Sequence, residues 1–204
     1  MSDTIRVLLA EDQSMVREAL AALLGLEPDI EVVAQVARGD EVLAAAREHA
    51  VDVALLDIEM PGMTGIEAAA EVRGALPGVK LVVLTTFGRP GYLRSAMESG
   101  ADAFLVKDAP AAQLAAAVRK VLVGERVIDP TLAAAALADG ANPLTDRERD
   151  VLRAAADGST NVELAGALNL SRGTVRNYLS TAIQKLAARN RAEAVRIARE
   201  KGWL

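Results

Sequence analysis

Three carboxylates, two hydroxyls and a lysine stand at the ends of four apolar runs in the first half of this chain. The run Ile5 to Ala10 is followed by Glu11 and Asp12, and the run Val51 to Asp57 ends on its own carboxylate. The run Val79 to Thr85 ends in Thr85 with Thr86 behind it, and the run Ala103 to Val106 leads into Lys107. Carboxylates brought to one spot repel each other and bind a hard divalent cation, while a lysine beside them pairs with a carboxylate or meets an incoming anion. Magnesium with a phosphoryl group is the ligand pair that suits such a set. A single Asp at the end of a run is more often a helix cap or a loop residue. Four ends carrying such groups argue for one site.

The elements that must hold these residues follow from periodicity. A fifth apolar run, Glu31 to Val36, joins the other four, and helix-like spacing separates them: Val16, Leu20, Leu23 and Leu24, then Val42, Leu43 and Ala46, then Ile66, Ala69, Val72 and Leu76. Alternating strands and helices predict a five-stranded parallel sheet covered on both faces, an open doubly wound α/β fold. In such sheets ligands sit outside the carboxyl ends of the strands, where the charged residues are.

Composition narrows the chemistry. There is no Cys and one His, so thiolate metal sites, disulfides and multi-histidine metal sites are excluded. The lone His49 falls on a helix away from the strand ends, where a solvated surface role is expected. Only five aromatic residues are present (Phe 2, Tyr 2, Trp 1), so the core must be built from Ala, Leu and Val. No apolar run approaches the roughly 20 residues that span a bilayer. The opening MSDTIRVLLAED also lacks the regions of a signal peptide, so a cytoplasmic protein without a membrane partner is expected.

Beyond Lys120 the texture changes. Gly124, Pro130, the alanines 133–136 and the stretch Asp139-Gly140-Ala141-Asn142-Pro143 predict a linker over 125–142 containing a short helix, between a domain at 1–124 and a second at 143–204. The second has no strand pattern. Capping boxes at Thr145/Glu148 and Thr160/Glu163 mark two helix starts, and Asp157-Gly158 ends the first. Val175, Leu179, Ile183 and Leu186 stripe a third helix starting near Ser171, and Ala192, Val195, Ile197 and Ala198 a fourth. Residues 1–139 hold 21 acidic and 12 basic side chains, whereas residues 140–204 hold 11 basic and 7 acidic ones. A basic helical module suits nucleic acid, and an ordinary solvated surface equally well. The third helix carries Arg172, Arg176, Asn177, Ser180 and Gln184 off its apolar stripe, side chains able to read base edges in the major groove, or simply to face solvent.

Two stretches then resemble known families. Glu11-Asp12, the run Leu55-Leu56-Asp57-Ile58-Glu59-Met60-Pro61-Gly62-Met63-Thr64-Gly65, Thr85, and Phe104 three before Lys107 resemble the receiver domain of two-component response regulators over about residues 4–124. The resemblance implies that Asp57 accepts a phosphoryl group from a sensor histidine kinase. It also implies that Asp12, Asp57 and the backbone carbonyl of Glu59 hold Mg²⁺, with Glu11 acting through water. Lys107 would pair with the phosphoryl group, Thr85 would hydrogen-bond it, and Phe104 would move inward as Thr85 shifts; as a plain core aromatic it would do none of this. Many receivers carry Pro directly after the lysine; here Asp108-Ala109-Pro110 follows, which fits the NarL/FixJ subfamily.

From Pro143-Leu144-Thr145 to Gly202-Trp203-Leu204 the chain resembles the LuxR-type helix-turn-helix module of that subfamily, and the words Gly173-Thr174-Val175-Arg176-Asn177-Tyr178-Leu179-Ser180 and Lys201-Gly202-Trp203 are similar to DesR-like regulators. This implies base contacts from Arg176, Asn177 and Ser180, and phosphate contacts from Asn161, Ser171, Thr174 and Lys185. Val162 stands where a basic residue is usual. The implied protein is a transcription factor rather than an enzyme, whose phosphorylation promotes a homodimer on promoter DNA, with RNA polymerase a candidate partner. Its first and last receiver helices, with Leu114, Val118, Val121 and Leu122, are candidates for the dimer surface, or those residues pack against the sheet. Two rivals are a Mg-dependent phosphatase or flavin site at the sheet edge, and a DNA-binding regulator whose receiver is only an interaction module.

Overall fold

The computed structural model describes residues 4–86, 90–139 and 142–204. Gly140 and Ala141 of the expected linker lie outside them. The chain divides into two compact units, one holding every strand and running to Ala134, the other holding the chain beyond it together with the short stretch Pro90–Tyr92.

In the first unit, β1 (Ile5–Ala10), β2 (Ile30–Val36), β3 (Val53–Asp57), β4 (Lys80–Thr85) and β5 (Ala103–Val106) alternate with α1 (Ser14–Leu24), α2 (Val42–Glu48), α3 (Gly65–Ala75), α4 (Pro90–Glu98) and α5 (Ala111–Leu122). The sheet order is β2-β1-β3-β4-β5, every pair parallel. All five residues of β3 are buried, which is why its sequence reads as continuous rather than alternating. Side chains still alternate between faces. Val7, Leu9, Val53, Leu55, Val82 and Leu84 form one core with Leu114, Val118 and Val121 of α5, while Leu8, Ala10, Ala54 and Leu56 form another with Val42 of α2 and Ala68, Ala69 and Val72 of α3. Full burial of each Val or Leu stabilises by about 1.5 to 3 kcal/mol, so the two cores hold the strands in register. Leu114, Val118 and Val121 are at most 7% exposed, so the dimer role offered for them is corrected to packing on the sheet.

A sixth strand, β6 (Val127–Ile128), extends the sheet beyond β5 within the segment expected to be linker. The amides of Val127 and of Asp129, just past the strand, donate to the carbonyls of Asp102 and Phe104, both at 3.2 Å. Two residues are too few to show alternation, and the open edge of β5 supplies the pairing that makes them a strand. The expected short helix follows as α6 (Pro130–Asp139), with Pro at its first position and the Asp129 carboxylate accepting from the amides of Thr131 and Leu132.

The second unit contains α7 (Asp146–Ala154), a 3₁₀ turn (Ala155–Asp157) closed by Gly158 at φ 84°, α8 (Asn161–Ala167), α9 (Arg172–Lys185) and α10 (Arg191–Glu200). Both predicted capping boxes are present at Thr145/Glu148 and Thr160/Glu163, and Ser171 caps α9 by accepting from the Thr174 amide. Val151, Leu152, Leu164, Val175, Leu179, Ala182, Ala194 and Ala198 are buried together. On α10 the expected stripe is shifted: Ala192 is exposed and Ala194 takes its place in the core. Ala alone cannot mark a helix face, because it is tolerated on either.

Candidate functional site

Parallel pairing brings the ends of β1, β3, β4 and β5 to one edge of the sheet, and with them the residues singled out above. Asp57 closes β3, the central strand, between β1 and β4. The Lys107 ammonium lies 2.8 Å from Asp57 Oδ1 and 2.6 Å from Glu11 Oε2. Carboxylate oxygens of Glu11, Asp12 and Asp57 all fall within 4.8 Å of one another. Glu11 is fully buried, Asp57 is 4% exposed, and Asp12 opens to solvent. The Glu11 amide donates to the Val36 carbonyl at 3.1 Å, which pins the end of β1 against β2.

The charges do not balance. One lysine faces three carboxylates, two of them buried. Burial pushes the Asp57 carboxyl up to about 6, Lys107 works against that by hydrogen bond and charge, and the Glu11 carboxylate adds to the rise. Burial also works to lower the Lys107 pKa, but hydrogen bonds and charge from Asp57 and Glu11 outweigh it and hold the ammonium above the ordinary lysine value. An all-oxygen donor set with this excess of negative charge fits a hard divalent cation such as Mg²⁺. The sequence alone does not reveal that Glu11 is held directly by Lys107, because residues 96 apart in the chain carry no spacing signal.

The remaining receiver residues fall as follows. Thr85 is 4% exposed at the end of β4, and its carbonyl accepts from the Lys107 amide at 2.8 Å. Phe104, opposite Val83 across the β4–β5 pairing, has no exposed surface. Glu59 is exposed between the buried residues Ile58 and Met60 on the loop that follows β3. That loop returns on itself where the Gly65 amide donates to the Ile58 carbonyl at 3.0 Å. A side chain at Gly65 would stand 1.9 Å from the Asp57 carbonyl oxygen, so only glycine closes it. His49 takes no part: it ends α2, and its carbonyl accepts from the Arg6 guanidinium.

In the second unit, Arg172, Arg176, Asn177, Ser180 and Gln184 are all exposed on α9, while Val175, Leu179 and Ala182 are buried beneath them. Helical spacing places 176, 180 and 184 on one face, with 177 beside it. Ser171 and Thr174 share a hydrogen bond between their hydroxyls at 2.8 Å, so the start of α9 is fixed before any ligand arrives. Asn161 opens α8, and Val162 beside it is 55% exposed. Lys185 is not simply a solvated cation: its ammonium lies 2.7 Å from Glu148 Oε2, a carboxylate only 5% exposed that also closes the capping box of α7. This tie between α7 and α9 was missed in the sequence, where Glu148 reads as a cap and nothing more.

Comparison with known proteins finds a family for each part of the chain. Residues 7–119 match the family described as response regulator receiver domain, and residues 142–198 match bacterial regulatory proteins of the luxR family. The chain is 45% identical to the transcriptional regulatory protein DesR of Bacillus subtilis, covering 98% of each. It is 42% identical to the response regulator RamR of Streptomyces coelicolor, covering 100% of each. Among solved structures it is similar to the response regulator ChrA of a heme-sensing two-component system, at 32% identity, TM-score 0.59, and 98% and 99% coverage of this and that chain.

Proposed function

Because the chain belongs to the LuxR-type response-regulator transcription factors, we propose that Asp57 is the residue on which it is switched. The observation that carries this reading is the placement of the Lys107 ammonium between Asp57 and Glu11 at the end of the central strand. In its ionised form an oxygen of Asp57 attacks the phosphorus of a histidine-bound phosphoryl group; the new O–P bond forms as the P–N bond breaks, and the imidazole leaves with its electron pair. Lys107 then follows the phosphoryl oxygens, and Thr85 offers its hydroxyl to them. Asp12, Asp57 and the Glu59 carbonyl would hold Mg²⁺, with Glu11 behind them; when bound, the ion neutralises charge on the transferring oxygens.

Residues 1–124 form the receiver, whose sheet extends through β6 into the segment 125–142 that links it to residues 143–204, the DNA-binding module. Arg176, Asn177 and Ser180 face bases, and Asn161, Ser171, Thr174 and Lys185 face phosphates. A sensor histidine kinase is the phosphoryl donor, and the phosphorylated chain binds promoter DNA as a homodimer. With Leu114, Val118 and Val121 committed to the core, the large apolar side chains left exposed near the first and last receiver helices are Met15, Leu23, Leu26, Leu122 and Val123, and these form the dimer surface. Incubation with acetyl phosphate and Mg²⁺, followed by intact mass, tests the centre of the proposal. A single phosphoryl added to the wild type and none to Asp57→Asn is expected; phosphate retained in the variant would overturn it.

A further inference from the structure

We propose that Gly39, with the Arg38 and Asp40 side chains flanking it, is a positioning residue for the phosphoacceptor site, holding the loop that carries the Glu59 carbonyl. The inference rests on Asp57 as the phosphoacceptor. The loop from Ile58 to Thr64 connects β3 to α3, and Glu59 is exposed on it between the buried Ile58 and Met60. Its α3 end is fixed by the Thr64/Glu67 capping box and by the Gly65 closure onto Ile58. Its middle, Pro61 to Met63, leans on a different segment, the one between β2 and α2.

Three contacts make that support. The Gly39 amide donates to the Pro61 carbonyl at 3.2 Å. A methyl group at position 39 would stand 1.9 Å from the Met63 carbonyl oxygen and 2.6 Å from its carbon, so two stretches of backbone meet there and neither can rotate away. Next to them Gly62 adopts φ 79°, and a side chain there would run into the Arg38 and Asp40 groups, which pair with each other through Nε–Oδ1 at 2.9 Å and Nη2–Oδ2 at 2.7 Å. That pair is about half exposed, at 46% and 44%, so it contributes little as an ion pair and acts mainly as a wall.

The same segment begins where β2 ends, and the Val36 carbonyl there accepts the Glu11 amide. One short stretch, 36–40, therefore fixes the backbone on two sides of the acidic pocket: Glu11 on one, Pro61 to Met63 on the other. Groups that orient a metal-binding set typically change metal affinity by 10- to 100-fold when altered. Displacing Met63 should thus weaken the cation site without touching a carboxylate.

The test uses the full chain and Gly39→Ala, with Gly74→Ala as control, since a methyl at position 74 meets open space in α3. Mn²⁺ binding is followed by electron paramagnetic resonance, and the rate of Asp57 phosphorylation by acetyl phosphate is followed against Mg²⁺ concentration. Gly39→Ala is expected to raise the Mn²⁺ Kd and the Mg²⁺ half-saturation roughly tenfold, with the rate at saturating Mg²⁺ and the affinity for DNA unchanged; Gly74→Ala moves none of these. Should Gly39→Ala fail to fold, Gly62→Ala loads the same contact from the loop's own residue, through its φ of 79° and the Arg38 and Asp40 side chains, with the same shift expected. A folded Gly39→Ala protein that keeps the wild-type Mn²⁺ Kd, or a fall in the saturating rate alone, overturns the inference. A wild-type protein that takes no phosphoryl group on Asp57 overturns the proposed function instead.

Discussion

At the residue scale the site is costly to keep without its ligands. Asp57 has its carboxyl raised from 3.8 to about 6, so the folded chain holds that proton more tightly than the unfolded chain does. Its ionised form therefore destabilises the receiver above pH 6, and the cost vanishes below the unfolded value near 4. A shift of about two units corresponds to about 3 kcal/mol. In urea unfolding at pH 8 with the metal chelated, Asp57→Asn should be more stable than wild type by up to about 3 kcal/mol, the gap closing as the pH falls to 4. Added Mg²⁺ should stabilise the wild type alone. A variant less stable than wild type at pH 8 would mean that the Lys107 pairing outweighs burial. The α9 residues proposed to face bases answer to a different measure. If Arg176 meets a guanine, Arg176→Ala should lose roughly 1 to 3 kcal/mol on the cognate site and relax preference at one base pair. Equal loss on all sequences would place it on phosphate.

At the scale of elements, α7 and α9 are joined by an ion pair whose acidic partner is buried, and this changes what Lys185 is expected to do. An ammonium has three donors, so Lys185 can hold Glu148 with one and still meet a phosphate with another. Its removal should therefore have two effects. Lys185→Ala leaves a buried carboxylate unpaired and should lower the thermal midpoint of the second unit. It should also reduce the salt dependence of DNA binding by about one unit, as loss of one phosphate contact does. Glu148→Gln separates the two effects, lowering the midpoint while leaving the salt slope as it was. A Lys185→Ala protein with lowered midpoint and unchanged slope would confine the residue to its structural role.

At the scale of the whole molecule, one small helical module offers few base contacts, and two half-sites roughly double the interface. A phosphoryl group adds negative charge where Lys107 and Thr85 can follow it, biasing a two-state element. Beryllofluoride with Mg²⁺ should therefore raise the mass seen by light scattering and tighten operator binding together. Tighter binding by a protein that stays monomeric, free and on DNA, would point to release of an inhibitory receiver contact instead.

The sequence by itself determined the alternation of strands and helices, the strand ends that carry Glu11, Asp12, Asp57, Thr85 and Lys107, and three of the helix starts beyond residue 143. Each is a local property: strand burial writes itself as a continuous apolar run, and a capping box is complete within four residues. What joins distant segments was decided only in the folded chain. Glu11 meets Lys107, Glu148 meets Lys185, Gly39 meets Met63, and Val127 and Ile128 become a strand solely because β5 leaves an edge open to them. Ala192 and Ala194 show the same limit in miniature, since a methyl group has no preference strong enough to announce which face of a helix the core will take. Contacts of this kind are fixed by packing of the whole and leave no period in the sequence from which to read them.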